Sequence, residues 1–207
     1  LLTGLYPTEH GAIQDPGRHR RFGFLGEDKT TLAELFQQGG WRTGAFVNNT
    51  FLAPEFRLNQ GFEHYSYEGA GRLEHRSAAD TVQAALQWLA SDPAPAFLLL
   101  HFMEPHLEYD PPESTRFAFR DRDIEPPLAV PFESREVMVA YIEEREIPSP
   151  EQQQWIQQAY DEELLGLDHA LAGFQQGLQA LGRPEGWQVI TSDHGEEFWD
   201  HGGFEHG

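Results

Sequence analysis

The feature that most constrains the fold is an alternation of strand-length segments with longer segments of helical spacing. Arg42–Val47, Ala96–Leu100 and Trp187–Ile190 have strand length, and helical spacing fills 77–90 and 151–180. Strands that alternate with helices predict a parallel or mostly parallel α/β sheet. The unbroken apolar run Ala96–Leu100 is typical of a central strand covered on both faces. Polar residues follow each strand, at the edge where such sheets bind ligands.

Local signals place the helix boundaries between these strands. The segment Thr31-Leu-Ala-Glu34 is a capping box, and Gly39-Gly40 ends the short helix that follows it. The helix over 151–180 has apolar residues spaced by three and four, namely Ile156, Tyr160, Leu164, Leu167, Leu171, Phe174 and Leu178. Residues 113–149 are charged and contain proline with weak periodicity, which predicts a surface insertion.

Composition excludes several classes of partner. The 207 residues carry 34 acidic and 14 basic side chains, a net charge of −20, which makes nucleic acid an unfavourable partner. No run of eighteen apolar residues occurs, so the sequence predicts no membrane-spanning segment. The chain has no cysteine, which excludes disulfides and thiolate metal sites within it and leaves the cellular compartment undetermined.

The last fifteen residues hold the densest set of potential metal ligands. The Trp187–Ile190 run leads into the adjacent pair Asp193-His194, and a glycine-rich stretch with His201 and His206 follows. Carboxylate oxygen and imidazole nitrogen together suit a divalent cation, from Ca²⁺ or Mn²⁺ to Zn²⁺. We therefore predict that Asp193 and His194 are metal ligands. Two protein ligands do not hold a metal tightly, so further ligands are expected from elsewhere.

His206 is the predicted catalytic residue. It lies thirteen positions after Asp193, beyond a glycine-rich bend that can turn it back toward the Asp-His pair. A protonated imidazole there can donate to a leaving-group oxygen or bind an anion, and a neutral one can ligate a metal.

Two further residues are predicted to bind substrate. His106 follows the second strand and Pro105, where a side chain can project into a cleft, and Asn48 ends the first strand. A second Asp-His pair, Asp168-His169, lies inside the long amphipathic helix. There we expect a solvated or interface pair and no ligand site.

Several motifs occur in an order that is typical of one enzyme family. They are Leu1-Leu-Thr-Gly-Leu-Tyr-Pro-Thr-Glu-His-Gly, Glu104-Pro-His-x-x-Tyr-x-Pro-Pro and Thr191-Ser-Asp-His-Gly-Glu. They resemble, in turn, the second half of the sulfatase signature, the sulfatases' Pro-His segment and their metal motif. Residues 31–62 are similar to the first helix–strand unit of these enzymes. The resemblance to the sulfatase family of the alkaline phosphatase superfamily covers the whole chain.

The resemblance implies that residues 1–207 are part of a catalytic domain with a three-layer α/β/α fold of the alkaline-phosphatase type. It implies a metal-dependent hydrolase of sulfate esters, acting on small-molecule or glycan esters. It also implies one divalent cation, Ca²⁺ first with Mn²⁺ or Mg²⁺ as alternatives, and a formylglycine nucleophile upstream of Leu1. Residues 1–207 alone are therefore expected to be inactive. The family favours a periplasmic or extracellular location.

In the same way the resemblance assigns the sulfate contact to His106 and the metal pair to Asp193 and His194. Two departures keep other reactions open. Many sulfatases have Asp-Asn at the metal pair, whereas Asp-His is found in phosphonate monoester hydrolases and phosphoglycerol transferases. The family's Gly-Lys-Trp-His segment corresponds to 47–50, which lacks the lysine and the histidine.

The alternatives are therefore a phosphodiester or phosphonate monoester hydrolase, or a phosphoglycerol transferase, of the same superfamily. An inactive relative that binds anionic glycans is the non-enzymatic alternative. Retention of Asp193, His194 and His206 argues against it.

Overall fold

The computed structural model of this chain describes residues 1–13, 23–69, 76–122, 139–141 and 147–206. These residues form two compact units. The first comprises Leu1–Met103 with Gly173–Gly182, and the second comprises Glu104–Ala172 with Arg183–Gly207.

The elements follow the alternating order that the sequence predicts. In chain order they are α1 (Pro7–His10), α2 (Leu32–Gln38), β1 (Arg42–Val47), two 3-10 turns (Thr50–Leu52 and Pro54–Phe56), β2 (His64–Tyr67), α3 (Ala78–Ala90), β3 (Ala96–Leu100), α4 (Pro150–Ala180), β4 (Glu197–Phe198) and β5 (Phe204–Glu205). In the described part of the chain, no helix is both long enough and apolar enough to cross a bilayer.

The first unit is built on a parallel sheet with the strand order β2-β1-β3. Strand β1 pairs in parallel with both neighbours, and five of its six residues are buried. Strand β3, expected to be central, pairs with β1 alone among the described strands, and all five of its residues are half-buried. The centre of the described sheet is therefore β1.

Helices cover the two faces of this sheet. Trp88 of α3 packs over Gly44, where a β-carbon would come within 2.9 Å of the indole. On the opposite face, Phe97 is the register partner of Thr43. Its ring stacks on Phe36 of α2 with centroids 4.5 Å apart. Alternate residues of a strand point to opposite faces, so α2 and α3 lie on opposite sides and the three-layer α/β/α arrangement is confirmed.

The predicted helix starts are confirmed as well. The Thr31 hydroxyl accepts the Glu34 N–H, and the Glu34 carboxylate accepts the Thr31 N–H at 2.7 Å. This reciprocal pair is the predicted capping box. The Ser77 hydroxyl caps α3 by accepting the Asp80 N–H.

The buried face of the long helix differs from the expected apolar stripe. The fully buried residues of α4 are Trp155, Ile156, Ala159, Glu162 and Glu163. Leu164, which belongs to the predicted stripe, is 38% exposed. The spacing of three and four is preserved, but two carboxyl groups take the place of leucines. They are tolerated there because they accept hydrogen bonds from a neighbouring loop.

That loop precedes α4 in the second unit and donates hydrogen bonds to Glu162. The Glu162 carboxylate accepts the backbone N–H groups of Phe117, Phe119 and Arg120, and two further bonds from the Arg120 guanidinium at 2.9 and 2.6 Å. Burial alone would raise the pKa of Glu162, but these hydrogen bonds hold it below its ordinary value. Thr115 and Arg120 are themselves buried. Residues 123–138 and 142–146 lie outside the described residues, so the surface insertion over 113–149 stays a prediction.

The prediction of a strand leading into Asp193 is wrong. Trp187, Val189 and Ile190 are 101%, 84% and 77% exposed, and none of the described residues pairs with 187–190 in a ladder. A strand exists only where a neighbour shares its backbone hydrogen bonds. The apolar run has strand composition without such a neighbour.

Replacing Arg120 by methionine should destabilise the chain by about 3–5 kcal/mol, because it leaves the buried Glu162 carboxylate without its counter-ion. Urea unfolding measures this difference. The control is Arg57→Met, because the Arg57–Glu27 pair has side chains 44% and 81% exposed and should be worth about 1 kcal/mol or less. Equal effects of the two substitutions would contradict the role given to Arg120.

Candidate functional site

A hairpin at the end of the chain brings His206 back toward the Asp-His pair. Strands β4 and β5 are antiparallel, with Glu197 opposite Glu205 and Phe198 opposite Phe204. The Glu197 carboxylate holds the turn by accepting the N–H groups of His201 and Gly203, each at 2.9 Å. Extending the register by one residue places His206 opposite Glu196. The two side chains are 3.6 Å apart, from Nδ1 to Oε1.

Three imidazoles of the second unit therefore come together. The ring centroids of His194 and His206 are 3.9 Å apart, and those of His106 and His206 are 5.3 Å apart. His201, the remaining histidine of the glycine-rich stretch, is 89% exposed at its side chain. We call His106, His194 and His206 the histidine cluster.

The Asp193-His194 pair offers a nitrogen and an oxygen to one cation. His194 Nδ1 lies 2.8 Å from the Gly195 carbonyl oxygen, which only accepts hydrogen bonds, so Nδ1 carries the proton. In the neutral ring this leaves the Nε2 lone pair, 3.7 Å from Asp193 Oδ1. Metal-bound histidines typically have this arrangement, with the second nitrogen held by a carbonyl. The donor set therefore fits a divalent ion.

These two residues do not complete a metal site by themselves. Within the described ranges, no group of three or more histidine, aspartate or glutamate side chains is arranged to hold a metal ion. The Asp193 side chain is 84% exposed and that of His194 is 46% exposed, so both are open to further ligands. The other Asp-His pair, Asp168-His169, is exposed on α4.

Glu196 is the buried carboxyl beneath the histidine cluster. Its side chain is 7% exposed. Burial, and next the negative charge of Glu205, raise the pKa of Glu196 to about 7, although His106 and His194 act in the opposite direction. A carboxyl group that titrates near neutrality beside three imidazoles can exchange protons with them.

His106 sits on a segment fixed to the core of the second unit. Its neighbours Leu107 and Tyr109 are 4% and 1% exposed and belong to a cluster with three residues of α4, which are Trp155, Ile156 and Ala159. His106 Nδ1 hydrogen-bonds to the Leu107 carbonyl oxygen. Its Nε2 is thereby left for an external partner.

Asn48 belongs to the first unit and has a structural role there. It is 2% exposed. Its amide nitrogen donates to the Thr81 hydroxyl at 3.0 Å and to the His101 carbonyl at 2.6 Å. These bonds join the ends of β1 and β3 to α3. Substrate binding by Asn48 stays a prediction.

Sequence reasoning missed the two buried glutamates of α4. Glu162 and Glu163 are 0% and 4% exposed. A signal was present, because they continue the spacing of Trp155, Ile156 and Ala159 along the helix. Acidic residues on the apolar face of a helix indicate either that a different face is buried or that buried carboxylates accept hydrogen bonds. In α4 the two glutamates are acceptors.

A comparison with protein families identifies the chain. The family model described as Sulfatase matches residues 1–207. The chain belongs to the Sulfatase family. No curated protein gives a significant match to this sequence.

Solved structures of related enzymes share the fold. The C-terminal periplasmic domain of EcEptC from Escherichia coli is 20% identical with a TM-score of 0.57, over 83% of this chain and 44% of that one. The phosphonate monoester hydrolase of Agrobacterium radiobacter is 16% identical with a TM-score of 0.60, over 89% and 49%. A protein solved with its substrate D-glucosamine-2-N,6-O-disulfate is 16% identical with a TM-score of 0.60, over 88% and 52%.

These similarities establish an alkaline-phosphatase-like sulfatase fold, as the sequence predicts. The chain spans about half the length of the chains it matches, from 44% to 52%. At 16% to 20% identity the likeness concerns the fold alone.

The buried Glu163 should make stability depend on pH. Burial raises the pKa of Glu163 to about 8, and the nearby charges of Glu104 and Asp110 add to the rise, against the Asp110 N–H and Arg120. Between its ordinary value of 4.5 and about 8, the folded chain keeps a proton that the unfolded chain releases. The free energy of unfolding therefore falls as pH rises, by up to about 1.4 kcal/mol per pH unit from this group.

Glu163→Gln should remove that contribution. Urea unfolding at pH 5, 6, 7 and 8 measures it as the difference in slope between the two proteins. The same slope in both would show that Glu163 is ionised in the folded chain.

Proposed function

We propose that this chain forms part of a metal-dependent hydrolase of sulfate esters. The observation that supports the proposal is the grouping of the histidine cluster with Asp193 and the buried Glu196 in one unit. An anionic ester needs positive charge and hydrogen-bond donors, and the chain as a whole carries a net charge of −20. A cation together with imidazoles would offset this field locally.

Each residue has a role in this proposal. Asp193 and His194 would hold one divalent cation, which supplies charge neutralisation to the ester oxygens. His106, with Nδ1 donating to the Leu107 carbonyl, would in its protonated form also donate from Nε2 to the anion. His206 would protonate the leaving oxygen. The formylglycine nucleophile is proposed to lie upstream of Leu1, as the family resemblance implies.

The proposed site could hold either Ca²⁺ or Mn²⁺. The family resemblance favours Ca²⁺, whereas an imidazole ligand beside a carboxylate suits Mn²⁺ better, because Ca²⁺ prefers oxygen ligands. Removing the metal and restoring activity with each ion would decide between them.

A second candidate is a phosphonate monoester or phosphodiester hydrolase, or a phosphoglycerol transferase. The nitrogen-and-oxygen pair of Asp193-His194 favours it, since phosphoryl oxygens and an Mn²⁺-type ion suit that donor set.

For either candidate the partner would be a small-molecule or glycan ester. A periplasmic or extracellular location is proposed from the family resemblance, and one structure with a similar fold is described as a periplasmic domain.

Replacing Asp193 by alanine in the full-length protein should abolish metal-dependent hydrolysis, because one of the two proposed ligands is lost. Turnover of aryl sulfate, aryl phosphodiester and aryl phosphonate with added Ca²⁺ or Mn²⁺ measures this and ranks the two candidates. Asp168→Ala is the matched control, since it removes the same residue from an exposed Asp-His pair on α4. Unchanged turnover in Asp193→Ala would overturn the metal assignment.

Replacing His206 by alanine should affect esters according to their leaving groups. A poor leaving group needs a proton and should lose about 10²-fold or more in kcat. The nitrophenolate of 4-nitrophenyl sulfate leaves without a proton and should lose much less. Measuring both substrates in both proteins tests the role, and equal losses would assign His206 to binding instead of proton donation.

A further inference from the structure

One side chain outside the proposed chemistry is tied to the segment that carries His106. Residues 106 to 110 alternate between partly open and buried positions, with Leu107 and Tyr109 buried and Asp110 exposed. The segment lies with one side against α4. His106 and Glu108 are half-buried and lie outside the buried cluster that Leu107 and Tyr109 join.

The end of this segment is held by a buried carboxyl group. The Asp110 backbone N–H donates to Glu163 Oε1. Glu163 is 4% exposed, and its second oxygen has no hydrogen-bond partner among the described residues. The Asp110 carboxylate is bound in turn by Arg116 at 2.6 Å. The backbone of Asp110 is therefore fixed from the α4 side and its side chain from the loop side.

The carboxyl group of Glu163 is only partly compensated for its burial. Burying it is unfavourable unless its hydrogen bonds compensate, and only one of its oxygens is satisfied within the described part of the chain. Methionine of similar volume would avoid burying a carboxyl group but would leave the Asp110 N–H without this acceptor. The feature that a carboxyl group provides and an apolar side chain does not is the acceptor for the Asp110 N–H.

We propose that Glu163 is a positioning residue, whose carboxyl group fixes the Asp110 backbone and thereby holds the His106 imidazole at its place in the histidine cluster. Two contacts fix the segment 106–110. The first is the burial of Leu107 and Tyr109, and the second is the hydrogen bond at Asp110. Without the second contact the segment can rotate about the first. The His106 ring would then leave its place 5.3 Å from His206. The proposal rests on the proposed function insofar as His106 binds the anion.

The test compares two replacements of Glu163 in the 207-residue chain. Glu163→Gln keeps an oxygen that accepts the Asp110 N–H, and Glu163→Met keeps the volume without that acceptor. Asp168→Asn, on the exposed side of the same helix, is the control. Three quantities are measured by NMR, namely hydrogen exchange of the Asp110 amide, the ring signals of His106, and their response to inorganic sulfate.

The expected result is a difference between methionine and glutamine. In Glu163→Met the Asp110 amide should exchange about tenfold faster and sulfate should bind about tenfold more weakly, as the loss of one hydrogen bond implies. The His106 ring signals should shift or broaden. In Glu163→Gln and Asp168→Asn all three quantities should stay within about twofold of the parent chain. In the full-length protein, Glu163→Met should raise KM more than it lowers kcat.

Two outcomes separate this proposal from the proposed function. If the parent chain shows no sulfate response at His106, the proposed anion contact fails, and positioning is judged from the ring signals alone. If Asp110 exchanges faster in Glu163→Met while His106 is unchanged, Glu163 is a structural anchor only and the proposal is overturned. Should Glu163→Met not fold, Asp110→Pro removes the same hydrogen bond from the donor side, and the His106 ring signals and their response to inorganic sulfate are measured, since proline has no amide hydrogen. Unchanged His106 signals in that variant would overturn the proposal.

Discussion

The second unit depends on one constraint, that backbone N–H groups buried in a loop must find acceptors. Glu162 and Glu163, adjacent on α4, meet this demand for the segment from Asp110 to Arg120. Because the two side chains leave the helix in different directions, one holds the loop beside His106 and the other holds the stretch beyond it. The Arg120 guanidinium balances the charge of Glu162. Through these two glutamates, α4 fixes the loops around the candidate site.

The histidine cluster depends on a second simple feature, the register of the β4–β5 hairpin. Because Glu197 lies opposite Glu205 in an antiparallel pairing, the next pair in the register is Glu196 and His206. His206 therefore faces Glu196 and contacts His194. Stacking of Trp199 on Phe204, with centroids 4.5 Å apart, supports the turn. The proposed division of roles among the imidazoles follows from this placement and from the carbonyl groups that hold two of the rings.

Elements that depend on local interactions could be predicted from the sequence. The capping box at Thr31 and Glu34 and the extent of α4 rest on contacts between residues close in the chain. The strands β1 and β3 were predicted from their composition, and that prediction holds because each finds a pairing partner. The strand predicted before Asp193 is wrong because composition is local, whereas strand pairing, which the run lacks among the described residues, is not. The buried face of α4 was assigned to leucines for the same reason, since a carboxyl group is buried only where a distant loop supplies donors.

The sequence by itself determined the family, the alternation of strands with helices, and the residue types of the candidate site. The motifs around His106, Asp193 and His194 are short and carry their chemistry in residue identity alone. Only the tertiary structure decided which of these side chains meet. The distance between His194 and His206 follows from hairpin register, and the anchoring of His106 follows from Glu163, fifty-seven positions further along the chain. Such contacts depend on how separate segments pack and pair, and no local pattern of residues encodes that geometry.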